Sequence, residues 1–353
     1  MKTSPILNFN YLSRVIGIGF VLIGLSVFLL HTLFPTIEQS RERKKLMAYQ
    51  SAQESMEALV IGSSHSSSFH LPALGLKGFD FHDLGGDIEE LTLKTHIFLD
   101  RSPNLKTVFI PASPATFALS QVYLSENYSK RLLIVASNTP LSWPLFLFAP
   151  EETVSLFVDQ FVGIKKFRKA FDHFLISFFS GNETTNTKCT SAENALFIKQ
   201  NYSIDADDDL FNDHDICTMP AQNIKNHGTI VSGNHLRKFK LSIEKEPNIV
   251  QSNLQRLIKL ADRLGERQGQ LILVMTPYSE DFYESTAIQS LKTAHLSELA
   301  LLEKHPNITV YDFHDYFYSR VTADKNDYFY DSNHLSTRGA IEFSQALKIK
   351  MGL

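Results

Sequence analysis

The chain has 353 residues, 43% of them hydrophobic, which is enough for one large or two modest folded domains and rules out a disordered protein. Its 34 basic and 38 acidic residues leave a formal net charge of -4, so no broad basic footprint for nucleic acid exists and nucleic-acid binding is set aside.

From Val15 to Leu30 no side chain is charged, and the apolar run extends to Phe34 before Pro35 stops it. About 20 helical residues cross a hydrocarbon core of about 30 Å, so residues 15–34 are expected to form one transmembrane helix within an anchor of residues 1–36. A cleaved signal peptide is the alternative, against which stand the length of the run and the lack of a small-x-small cleavage site. Lys2 and Arg14 precede the span, whereas Arg41, Arg43, Lys44 and Lys45 follow it, a distribution that by itself leans towards a cytoplasmic domain. Two cysteines, Cys189 and Cys217, would keep a disulfide only in an oxidising compartment, and two free thiols fit the sequence as well.

Residues 37–56 are charged and helix-prone and read as a stalk, with the folded domain spanning 57–353. Ala58 to Gly62 is a brief apolar run ending in Gly and Ser, as expected of a buried parallel strand entering a loop. Similar runs recur at Thr107 to Ile110, Gln270 to Met275 and Ile308 to Tyr311, and Phe79 to His82 reads as a further strand. Helical periodicity lies between them, at Ile88 to Leu99, Val250 to Leu264 and Ala294 to Lys304. Strands alternating with helices predict an α/β fold with a parallel sheet covered on both faces and a site at the carboxyl ends of the strands.

The middle breaks this rhythm, and residues of about 120–245 read as a largely helical insertion. Its stretch from Glu151 to Phe179 is helical in period and rich in Phe, which suits core packing, a cap over the site or a surface resting on a bilayer. Residues 181 to 235 read as polar and irregular. The acidic cluster from Asp205 to Asp215 begins like a calcium loop but has Leu210 and Ile216 where Gly and Glu are needed, so it reads as a solvated loop. No His, Cys and carboxylate spacing suits a metal, and no glycine-rich phosphate fingerprint follows a strand, so neither metal nor nucleotide cofactor is expected.

Two short segments carry the chemistry. Gly62-Ser63-Ser64-His65-Ser66 follows the first strand, where small residues let the backbone turn sharply and a serine can project its hydroxyl above the sheet edge. Asp331-Ser332-Asn333-His334-Leu335-Ser336-Thr337-Arg338-Gly339 precedes a final amphipathic helix capped by Ser336. A serine is a poor nucleophile until an imidazole accepts its proton, and the imidazole needs an acceptor to fix its tautomer. Asp331 stands close enough in sequence to serve His334.

Together these segments resemble the SGNH (GDSL-like) hydrolase superfamily, across nearly the whole soluble domain from Gly62 to Gly339. That resemblance implies a flavodoxin-like three-layer sheet, with Ser64 as nucleophile, His334 as general base and then acid, and Asp331 as its orienter. His65 follows the nucleophile as in some membrane-anchored members. Asp83-Leu84-Gly85-Gly86 is similar to the block whose glycine amide donates to the oxyanion, with Gly86 as the donor and Gly85 as the alternative. The block that usually supplies an asparagine is replaced by Pro111-Ala112-Ser113-Pro114, so Ser113 is expected to donate its hydroxyl instead. Tyr278, after the strand ending at Met275, is a candidate substrate contact; His70 and His82 read as structural.

With the anchor, the Gly-Ser-Ser-His variation looks most like the bacterial branch for alginate O-acetylation and lipoteichoic acid D-alanylation. It implies an acyltransferase in the cytoplasmic membrane whose domain faces the periplasm or exterior. The acceptor would be a surface polysaccharide and the donor a multipass membrane acyltransferase. A membrane-proximal esterase or lipase and a non-catalytic scaffold are the alternatives.

Overall fold

The computed structural model describes residues 49, 51–82, 86–119, 218–219, 221–321 and 326–353, all of which fall within one compact unit comprising residues 48–128 and 185–353. The expected span at 15–34, the Phe-rich segment 151–179, the acidic cluster 205–215 and both cysteines lie outside the described residues. Among the described residues no helix is long and apolar enough to cross a membrane.

Five short strands form one sheet: β1 (Ala58–Gly62), β2 (Gly78–His82), β3 (Thr107–Pro111), β4 (Gln270–Met275) and β5 (Ile308–Asp312). Their spatial order is β2-β1-β3-β4-β5, and every pair is parallel. Every strand lies within one or two residues of the run that predicts it. Continuous apolar runs suit such strands because a parallel sheet is buried on both faces. Ala58, Val60, Phe109, Ile272 and Val274 pack with Leu71 and Leu74 of the short α1 (Leu71–Leu74) and with Ala340, Phe343 and Leu347 of α7 (Thr337–Met351). Their strand neighbours Leu59, Ile61, Val108, Ile110, Leu271 and Leu273 are also fully buried and, by the period of two, point the other way. The second helix pair, α2 (Ile88–Arg101) and α4 (Ile249–Gly265), packs on itself and reaches β1 and β4 respectively.

Strand order reverses where β2 and β3 leave opposite sides of β1. In open parallel sheets a crevice forms at such a point, beyond the carboxyl ends of the strands. The loop after β1, with Ser64, leaves the sheet there.

Three expectations are corrected. Part of the region expected to be irregular is a helix, α3 (Ala221–Lys245), 25 residues long. Its sequence carries two glycines, little aliphatic content and no strong apolar stripe, so periodicity gave no signal; its contacts with α5 (Glu280–Tyr283) and α6 (Thr286–Leu302) hold it. The helix expected from Ala294 begins eight residues earlier, where the Ser285 side chain accepts from the Ile288 amide and caps α6. The end of the expected stalk is part of the fold: Tyr49 and Met56 are buried, and the Tyr49 ring lies 4.4 Å from that of Phe98.

Candidate active site

The serine loop begins at Gly62. A Cβ there would stand 2.5 Å from Pro111 Cδ and 2.6 Å from Cγ, and closer still to Ser66 Oγ, so only glycine lets β1 turn beside β3. The chain then tightens into a 3-10 turn, Ser64–Ser68, in which the Ser66 amide donates to Ser63 O at 3.0 Å and Ser67 Oγ donates to Ser64 O at 2.7 Å. His70 ends this segment as a structural residue. Its amide donates to Ser344 Oγ on α7, its Nδ1 caps α1 by accepting from the Ala73 amide, and burial pushes its pKa down to about 4.

The second loop is built from hydrogen bonds. Asp331 Oδ1 accepts the amides of Asn333 and His334, each at 2.9 Å, which folds the carboxylate back over its own turn. Ser332 O accepts both the amide and the hydroxyl of Ser279, at 3.0 and 2.7 Å. Ser336 closes the loop: its hydroxyl donates to Asp327 O and caps α7 by accepting the Gly339 amide.

These two loops bring Ser64, His334 and Asp331 together across 270 residues of sequence. His334 Nε2 stands 2.7 Å from Ser64 Oγ, and Nδ1 stands 2.9 and 2.8 Å from the two oxygens of Asp331. A carboxylate only accepts, so Nδ1 carries the proton and Nε2 accepts from the serine hydroxyl. Burial by itself would raise the Asp331 pKa; the hydrogen bond and charge of His334 and the Asn333 amide outweigh it and hold the carboxyl below its ordinary value. An ionised Asp331, an oriented imidazole and a hydroxyl bonded to it form the arrangement that makes serine nucleophilic.

Aromatic rings pack behind this row. His65 is buried and stacks on His334, with centroids 4.8 Å apart and planes 18° from parallel. Burial, then the positive character of His334 and His235, pushes its pKa well below the usual histidine value, so His65 faces His334 as a neutral ring. Tyr278, expected as a substrate contact, is fully buried and meets His65 edge-on at 5.5 Å. Burial also raises its pKa.

Gly86 and Ser113 are the expected oxyanion donors. Gly86 is buried directly before Asp87, which caps α2 through the Glu90 amide. Asp83, Leu84, Gly85 and the side chain of His82 lie outside the described residues. Ser113 follows β3, and both its amide, at 2.9 Å, and its hydroxyl, at 2.7 Å, are bonded to Thr116 Oγ1. Among the described residues no group of three or more His, Cys, Asp or Glu side chains is placed to hold a metal ion.

Sequence reasoning missed the contribution of α3. Its His227 Nδ1 lies 2.9 Å from Ser332 Oγ in the second loop, and its His235 meets Phe282 at 5.4 Å and His65 at 6.3 Å. Two histidines eight residues apart lie about two turns apart on a helix, a spacing that could have been read had the segment been recognised as helical.

No protein-family model matches the chain, and a search of the curated proteins finds no match.

Proposed function

We propose that the protein is a membrane-anchored serine O-acyltransferase of the SGNH type that modifies a cell-surface or extracytoplasmic polysaccharide through an acyl-Ser64 intermediate. The observation that carries this reading is the continuous row from Ser64 Oγ through His334 to Asp331, with spacings of 2.7 to 2.9 Å. The parallel order β2-β1-β3-β4-β5 with helix pairs beside the sheet supports the flavodoxin-like three-layer form of that superfamily. Residues 15–34 would hold the chain in the bacterial cytoplasmic membrane, with the domain outside, and a multipass acyltransferase would supply the acyl group.

In this mechanism Ser64 Oγ attacks the acyl carbonyl while His334 Nε2 accepts its proton. Asp331 stabilises the imidazolium. The tetrahedral oxyanion is received by amides around the nucleophile turn and Gly86, and by the hydroxyl of Ser113 once Thr116 releases it. The imidazolium returns its proton to the leaving group, and acyl-Ser64 remains. A sugar hydroxyl then attacks the ester carbonyl, His334 takes the hydroxyl proton, and Ser64 Oγ leaves and recovers that proton.

The His334 side chain is 22% exposed, which supports hydrolysis as the second reading, since water is a competing acceptor for the same acyl-serine. A single experiment separates the readings. Full-length protein in detergent is mixed with p-nitrophenyl acetate, and p-nitrophenol release and intact mass are followed beside Ser64→Ala. A burst with one acetyl adduct, absent in the variant and slow to clear until a glycan hydroxyl is added, is the expected result for transfer. Steady turnover in buffer would establish hydrolysis, and no Ser64-dependent adduct would remove both.

A further inference from the structure

We propose that His227 is a positioning residue of this site, holding the Asp331–His334 loop in the register that aims the carboxylate at the imidazole; this rests on the reading of Ser64 as an acylated nucleophile.

The helix that carries His227 is seated very closely. The next residue is Gly228, where a Cβ would stand 3.0 Å from the Phe282 amide nitrogen and 3.1 to 3.2 Å from the carbonyl of Asp281. A larger residue there would press on the α5 backbone, so Gly228 sets how near α3 lies to α5.

The hydrogen bonds define what His227 does. The Ser332 amide donates to His227 Nδ1 at 3.4 Å, and Ser332 Oγ stands 2.9 Å from the same nitrogen. A backbone amide only donates, so Nδ1 is an unprotonated acceptor and the ring proton sits on Nε2. The serine hydroxyl therefore also donates to Nδ1. On the other side of Ser332, its carbonyl oxygen accepts the Ser279 amide and hydroxyl. The two peptide units flanking Ser332 are thus held from different elements, α3 on one side and the segment after β4 on the other.

Ser332 is the residue between Asp331 and the amides of Asn333 and His334, to which the Asp331 carboxylate is bonded. Rotation of either flanking peptide would turn that carboxylate away from His334 Nδ1. His227 touches no atom of the triad's bonding row; its effect passes through Ser332. A displacement of about 1 Å in a catalytic group costs on the order of 100-fold in rate.

The test compares His227→Ala and His227→Asn with wild type. The Asn Oδ1 occupies the place of Nδ1 and keeps the acceptor. Two quantities are measured in the full-length protein: the rate of Ser64 acylation by p-nitrophenyl acetate, and the downfield proton resonance of the His334 Nδ1–H···Asp331 bond, which needs no turnover. His227→Ala should slow acylation about 10- to 100-fold with little change in KM, and should broaden or shift the downfield resonance. His227→Asn should restore the resonance and bring the rate within about 3-fold of wild type, the residual reflecting its shorter reach.

Wild-type rate and resonance in His227→Ala would overturn the proposal and leave the acyltransferase reading standing. Equal loss in both variants, with a lowered melting temperature in both, would also overturn it, since that is the pattern of general packing. If wild-type Ser64 forms no adduct, the functional reading falls, and the resonance by itself decides the role of His227.

Discussion

The two loops that meet at the site are held in opposite ways. The Ser64 loop is held by exclusion: Gly62 is pressed between Pro111 and Ser66, and the turn from Ser64 to Ser68 is closed by its own neighbours. The Asp331–His334 loop is held by polar contacts imported from the segment after β4 and from α3, together with the cap at Ser336. A loop fixed by local sterics is rigid at little entropic cost and tolerates few substitutions. A loop fixed by converging hydrogen bonds can be loosened one partner at a time, and the site loses aim before the fold loses stability.

The largest effects should come where the two loops join. Ser64→Ala should abolish adduct formation with activated esters, a fall of at least about 1,000-fold in acylation, while the melting temperature stays near wild type. Mass spectrometry after the burst reads this directly, and an adduct at full yield would separate the loops from any shared chemistry.

Asp331→Asn comes next. The amide presents a donor where His334 Nδ1–H needs an acceptor, and acylation should fall by roughly 100- to 10,000-fold. The same variant has a pH signature in stability. The native Asp331 pKa is depressed below that of the unfolded chain, about 3.9. Its contribution is therefore complete above that value and disappears as pH falls through the lower native pKa. The melting-temperature gap between wild type and Asp331→Asn should be present above about pH 5 and should close as pH falls below about 4. A gap that stays open at the lowest pH the fold tolerates would contradict an ionised Asp331.

Gly62→Ala tests the sterically held loop. The added methyl must displace the Pro111 ring or Ser66, so unfolding by heat or urea should show a loss of about 1–3 kcal/mol, with slowed acylation as Ser64 shifts. Ser279→Ala tests the hydrogen-bonded loop and should be mildest. It removes one of two donors to Ser332 O and the cap on the Phe282 amide of α5, and leaves the Ser279 amide in place, for about 1 kcal/mol and a few-fold loss of rate. If Ser279→Ala destabilised more than Gly62→Ala, the contrast between the loops would be reversed.

Much of the fold was legible in the chain. The strands could be read because a parallel sheet buried on both faces demands short uninterrupted apolar runs, and Leu59 to Ile61 or Leu271 to Val274 admit few other readings. Asp331 and His334 could be read as a pair because three residues separate them in one loop; Ser64 was joined to them only by the resemblance of both segments to the SGNH superfamily. The start of α6 was lost because Thr286 to Thr293 is a weak helical pattern anchored by the Ser285 cap, and α3 was lost because its polar, glycine-containing sequence has no periodic stripe.

What the sequence by itself determined is a local matter: which segments are strands, where β1 must turn, and which side chains can act as nucleophile, base and orienter. Only the tertiary structure decided which of them meet. The order β2-β1-β3-β4-β5 places the end of β1 beside a loop 270 residues away, and the close seat of Gly228 against α5 lets α3 bring His227 to Ser332. A local pattern carries the preferences of one segment; the pairing of distant segments depends on how all the buried faces pack at once, and no single stretch of sequence contains that information.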